Sequence, residues 1–163
     1  VFFKSSIKTD INWRMTRLAT RKKDKKTVSG EGIDRATWAA WAAEDRKARD
    51  IVILELAEMT SLADYFLICT ATSGRQVKAI ADNIDETLHK KGVRLLHSEG
   101  FEEMSWVLLD YDDLVVHIFT EEAREFYRLE RLWADAKHLP VPPRAETAVG
   151  RTAEHDNKTG SGG

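Results

Sequence analysis

The stretch from residue 65 to residue 97 constrains the fold more than any other part of the chain. Tyr65 to Ala71 is seven residues without charge, glycine or proline, the length and composition of a buried strand. Thr72-Ser73 follows, and behind it Val77, Ile80, Ala81, Ile84 and Leu88 recur at spacings of three and four up to Gly92. That period lays one apolar stripe along a helix, opened by a Ser or Thr cap and closed by glycine. Arg94 to His97 then reads as a further short strand. Strand, helix and strand in this order favour parallel strands joined by a right-handed crossover.

The flanking segments extend the pattern. Asp34 is placed to cap a helix reaching about Arg49, with Ala36, Ala39, Ala40 and Ala43 on one face and Trp38 and Trp41 beside it. Ile51 to Ala57 is an apolar, β-branched strand. Trp106 to Leu109 and Leu114 to Phe119 flank Asp110-Tyr111-Asp112-Asp113, which is hairpin spacing. A last helix is expected from about Glu121 to Arg131. These elements make one α/β domain over residues 31–139, a mixed β-sheet with flanking helices. A chain of 163 residues is long enough for one core and short for two.

The ends differ from this domain in charge. Residues 31–139 hold 22 acidic and 13 basic residues, a net of −9, whereas the two ends together hold 5 acidic and 12 basic, a net of +7. Residues 1–30 contain the cluster Arg21-Lys22-Lys23-Asp24-Lys25-Lys26 and no sustained period, so they read as a flexible basic arm. Met15 is a candidate translation start, which would make residues 1–14 extraneous. Pro140-Val141-Pro142-Pro143 stops regular structure, and 140–163 reads as a disordered tail. No run approaches the roughly 20 apolar residues of a membrane span, and no signal-peptide hydrophobic region follows Val1, so a soluble protein with no membrane partner is expected. An acidic domain suits a basic protein partner better than a phosphate backbone.

Little in the chain looks catalytic. The five histidines have no metal-ligand spacing with one another or with Cys69, and neither metal nor cofactor is expected. His117 lies among Val and Ile and reads as a hydrogen-bonded core histidine, and Cys69 as a buried, inert thiol. Free N–H groups in the strand-to-helix turn Thr70-Ala71-Thr72-Ser73-Gly74-Arg75 could receive a phosphate, but an ordinary Ser or Thr N-cap explains the same residues. Asp110, Asp112 and Asp113 could hold magnesium for nucleotidyl transfer. They stand in a hairpin connection, where Asp is favoured for backbone reasons alone. The aromatics Trp106, Tyr111, Phe126, Tyr127 and Trp133 accompany these acids, a composition shared by cores and by protein-binding hot spots.

Several blocks carry a family resemblance: Lys47-Ala48-Arg49-Asp50-Ile51-Val52, Ser61 through Thr70, Thr72-Ser73-Gly74-Arg75-Gln76-Val77, Glu99-Gly100, Trp106 through Tyr111, Asp113 through Phe119, and Arg124 through Trp133. In order and spacing, over about residues 35–138, the chain resembles the ribosome-silencing-factor (Iojap) family. The resemblance implies a nucleotidyltransferase-like fold without catalytic residues. It also implies a non-enzymatic, cytoplasmic bacterial protein that binds the large ribosomal subunit, through its fourteenth protein at the subunit interface. Such binding blocks joining of the small subunit and represses translation when nutrients are scarce. Positions matching the family's contact surface are Trp106, Asp110, Tyr111 and Tyr127. The arm could touch ribosomal RNA, act as an organelle-targeting segment or do neither, and a homodimer is compatible with the sequence. One departure is Asp112, where the family commonly has glycine; an Asp in the left-handed region costs of order 1 kcal/mol.

Overall fold

The computed structural model describes residues 11–17 and 30–145, and the uncharged run is its central strand. β1 (Arg49–Glu55), β2 (Tyr65–Ala71), β3 (His97–Glu99), β4 (Trp106–Asp110), β5 (Leu114–Thr120) and β6 (Lys137–Leu139) form one mixed sheet in the order β3-β4-β5-β2-β1-β6. β2 is buried along its whole length. It pairs parallel with β5, from Tyr65 opposite Leu114 to Ala71 opposite Thr120, and antiparallel with β1. The remaining pairs are antiparallel.

β2 and β3 therefore run in the same direction, as strand-helix-strand order suggests, but they are not neighbours. The β4–β5 hairpin lies between them, because β5 takes the place beside β2. β3 also begins at His97, where the sequence places the end of that strand. Leu96 N–H still donates to the Asp110 carbonyl at 2.8 Å, so the segment joins the sheet edge only at its last residues.

Alternation along the strands sorts the side chains into two cores. Leu67, Cys69, Val107, Leu109, Val116 and Ile118 face α2 (Glu31–Asp45) and α3 (Gly74–Lys90). Phe66, Ile68, Trp106, Leu108, Val115 and Phe119 face the opposite layer, made of α4 (Glu121–Tyr127), a 3-10 turn (Leu129–Trp133) and the helical residues 11–17, here called α1. α3 matches its sequence pattern, with Val77, Ile80, Ala81, Ile84 and Leu88 buried and Ser73 as its cap.

Three boundaries depart from the sequence reading. α2 starts at Glu31 and ends at Asp45, and no side chain caps it. Asp34 lies in the first turn, where with Glu31 it complements the positive end of the helix dipole. Lys47 adopts a left-handed conformation between α2 and β1, which is why the helix cannot continue to Arg49. The last helix does not run unbroken to Arg131 either. It stops at Tyr127, Arg128 turns left-handed at φ 46°, and the 3-10 turn follows. Arg124 explains the fixed position of this break. Its guanidinium donates to the Asp50 carbonyl at 2.6 Å, to Thr70 Oγ1 at 2.7 Å and to Glu130 at 2.5 Å, joining β1, β2 and both helical pieces. The break swings Leu129 and Trp133 onto the sheet, where Leu129 is fully buried.

β6 has no counterpart in the sequence reading. Beyond it, within the segment assigned to the tail, Trp41 Nε1 donates to the Pro142 carbonyl at 2.8 Å, and Arg144 donates to Asp45 at 3.0 Å and to the Trp41 carbonyl at 2.8 Å.

Two glycines in left-handed conformations separate a turn requirement from a packing requirement. Gly92 has φ 78° and open space about its Cα, whereas Gly100 has φ 93° and a Cβ there would lie 1.9 Å from the Trp106 carbonyl oxygen. Gly92→Ala should cost about 1 kcal/mol from conformation alone. Gly100→Ala should cost about 3 kcal/mol or more, because β4 must also shift. Urea denaturation of the two variants checks the difference.

Candidate functional site

Trp106 and Tyr111 stand five residues apart along one strand and its turn, an odd separation, so they point to opposite faces of the sheet. Trp106 belongs to the core beneath α4 and Tyr111 to the core beneath α3. Each is 1% exposed. The Tyr111 hydroxyl donates to Asp85 on α3 at 3.1 Å, and burial, then the Asp85 carboxylate, raises its pKa. Asp110 is also 1% exposed; its Oδ1 accepts from Asp112 N–H at 2.9 Å. That bond holds the hairpin turn with Asp112 at φ 79°, so the left-handed position usually given to glycine is occupied here by an aspartate whose own N–H is tied down. Asp113 accepts from Arg35 on α2 at 2.9 Å. The turn's acids are therefore engaged in holding it, Asp110 and Asp113 through their carboxylates and Asp112 through its N–H. Among the described residues no three His, Cys, Asp or Glu side chains converge as a metal site requires.

The strand-to-helix turn is occupied in the same way. Ser73 Oγ accepts from Gln76 N–H at 3.2 Å, and Gln76 Oε1 accepts from Thr72 N–H at 2.7 Å. The Gln76 amide also donates to the carbonyls of Arg46 and Lys47. These contacts make it a cap that also fastens α2 to α3.

Of the four residues matched to the family's contact surface, Trp106 and Tyr127 come together, with ring centroids 4.8 Å apart. Tyr127 is only partly buried and lies edge-on to Phe126, which is 45% exposed. Trp106 stacks on Phe119 at 5.0 Å and donates through Nε1 to His117 Nδ1 at 3.2 Å. That bond fixes the neutral tautomer of His117, with its proton on Nε2. Burial, and secondarily the charge of Arg14, lowers the His117 pKa to about 3. His117 is thus the buried, hydrogen-bonded core histidine expected. Cys69 is likewise fully buried, with its pKa raised to about 12 by burial.

Sequence reasoning missed Arg14. Its guanidinium lies 4.0 Å from the centre of the Trp106 ring and donates to the Trp106 carbonyl at 3.1 Å. Ile11 is buried and Met15 packs in the same layer. In the sequence Ile7, Ile11, Met15 and Leu18 recur at spacings of four, four and three, a helical signal that the reading of residues 1–30 as an arm passed over.

Comparison with known proteins agrees with this architecture. Residues 29–162 match the family described as "Ribosomal silencing factor during starvation". The chain belongs to the ribosomal silencing factor family. It is 45% identical over 98 residues to Ribosomal silencing factor RsfS of Bacillus subtilis, covering 60% of this chain and 83% of that protein. It is 32% identical over 128 residues to Protein Iojap, chloroplastic, of Arabidopsis thaliana, covering 75% of this chain and 53% of that protein. A crystal structure from Chromobacterium violaceum is similar with TM-score 0.62 and 36% identity, covering 70% of this chain and 95% of its own. As a silencing factor the chain has a regulatory role on the ribosome, and among its described residues no helix is long and apolar enough to cross a membrane.

The His117 environment sets a pH dependence. In the unfolded chain the imidazole protonates near 6.5 and in the folded one only near 3, so the unfolded state binds more protons between these values. Stability present above pH 6.5 is therefore lost as pH falls through this window, by up to about 1.4 kcal/mol per pH unit for one group. His117→Phe should lower stability at pH 7, since Trp106 loses its acceptor, yet flatten the slope between pH 6 and 3.5. Melting temperatures across that range, variant against parent, check it.

Proposed function

We propose that this silencing factor acts by occupancy: it binds the large ribosomal subunit through the fourteenth large-subunit protein at the subunit interface, and so keeps the small subunit from joining. The observation that carries this reading is the family match across residues 29–162, which includes the hairpin and α4. Physical support comes from charge, since a domain of net −9 complements a basic ribosomal protein. No catalytic step is required. An interface of standard size, about 800 Å² per partner, covers enough surface to exclude a second subunit. The working compartment is then the bacterial cytoplasm, and nutrient limitation the condition under which the repression matters.

The contact surface in this proposal is centred on the Trp106–Tyr127 pair, with Asp110 and Tyr111 shaping the hairpin beside it. Their burial divides the roles. Tyr127 and Phe126 reach solvent and touch the partner, whereas Tyr111 and Asp110 hold the turn in the conformation that the partner meets. The 21–26 basic cluster lies outside the described residues; in this reading it adds salt-sensitive attraction to ribosomal RNA phosphates.

Sedimentation tests the proposal. The purified chain should travel with isolated large subunits and not with joined ribosomes. Tyr127→Ala should leave a cooperatively folding protein and weaken subunit binding by about 2 kcal/mol, roughly 30-fold. Trp106→Ala should instead cost about 3–5 kcal/mol of stability, as loss of a core aromatic does. Folded Tyr127→Ala protein that binds like the parent would move the contact away from α4.

A further inference from the structure

α1 lies outside the family match, which starts at residue 29, yet it is docked on the face that carries Trp106. Its inward side is Ile11, buried, with Arg14 and Met15 partly so; its outward side is Asn12, Trp13, Thr16 and Arg17. Arg14 does to Trp106 what a basic partner would do. It lays a planar cation over the ring at 4.0 Å and satisfies the Trp106 carbonyl, while Arg17 reaches Glu99 on the neighbouring strand at 3.5 Å. Cation over indole is a contact that a ribosomal protein rich in Arg and Lys can supply equally well.

We infer that residues 11–17 are a cover bound in cis: Arg14 holds the surface of Trp106 that an arginine of the ribosomal partner would take, so the helix must lift before the partner binds. The inference rests on the placement of the contact face proposed above. Two features make the cover displaceable. Its grip includes one buried aliphatic side chain, Met15 packed in the same layer, one guanidinium that stacks and donates, and an ion pair whose arginine is half exposed. It also adds no strand to the sheet, and none of the strand pairings passes through it. Trp106 under the cover keeps its other supports, Phe119, Tyr127 and His117, so the ring stays in place when Arg14 leaves. The result is a surface already shaped for a cation and occupied by the chain's own.

The test uses the full chain and purified large subunits. Arg14→Ala, Ile11→Ser and the double variant are labelled with fluorotryptophan, and the Trp106 resonance is assigned by Trp106→Phe. In each variant the resonance should move as the ring loses its cation, with a small change in melting temperature. Subunit affinity should rise, by about tenfold if the cover is closed nine-tenths of the time in the parent. Arg14→Lys, which keeps the charge without the planar stack, should fall between. A moved resonance with unchanged affinity would overturn the inference, since the face would be uncovered and not shared. A moved resonance with weakened affinity would also overturn it and make α1 part of the contact. An unmoved resonance in the double variant would mean that α1 does not cover Trp106. If neither parent nor variants sediment with large subunits, the ribosomal reading itself fails and the inference falls with it, whatever the resonance does.

Discussion

Seven successive residue pairs hold β2 parallel to β5, and the rest of the molecule is arranged around that pairing. Parallel neighbours cannot be joined by a tight turn, so the chain between them must leave the sheet and return. It does so through α3 and then β3 and β4, which builds the far half of the sheet on the way. Because β2 has strands on both sides and helices on both faces, it admits no charge along its length. The two cores then follow from alternation alone. Arg124 secures the open end of the arrangement by joining the last residues of the β2–β5 side to β1 and to the broken helix.

Much of this was legible in the sequence, and the places where it was not have physical causes. β2 and α3 could be read to the residue, because an uninterrupted apolar run and a five-position stripe with its cap are strong local signals. The hairpin was equally clear. β6 was not, since Lys137, His138 and Leu139 have no alternation and are strand only because β1 offers an unpaired edge. The break at Arg128 was invisible because Arg carries no preference for a left-handed conformation. Tertiary contacts impose the break: the hydrogen bonds of Arg124, the burial of Leu129 and the Trp133 ring edge-on to Phe66.

The candidate site shows a subtler division. The residues were identified by resemblance, but their grouping was readable from the period of a strand and was not drawn from it. Positions 106 and 111 differ by an odd number and cannot share a face. A single aromatic anchor patch on the hairpin was therefore never available to this backbone. What the sequence could not supply was the docking of α1, which depends on a cation meeting a ring at long sequence separation. Composition placed the positive charge of that segment among features for phosphate, whereas two of its arginines, Arg14 and Arg17, lie against the chain itself.

Cys69 lies at the centre of β2, the strand on which the parallel pairing depends, with its thiol fully buried. A reagent that attacks thiolates cannot reach it by fraying of an end. It must wait until α2 and α3 come away from the sheet face on which Cys69 stands. The lone thiol is therefore a clock for that opening, and its rate of modification under native conditions reads how often the core between helices and sheet is exposed.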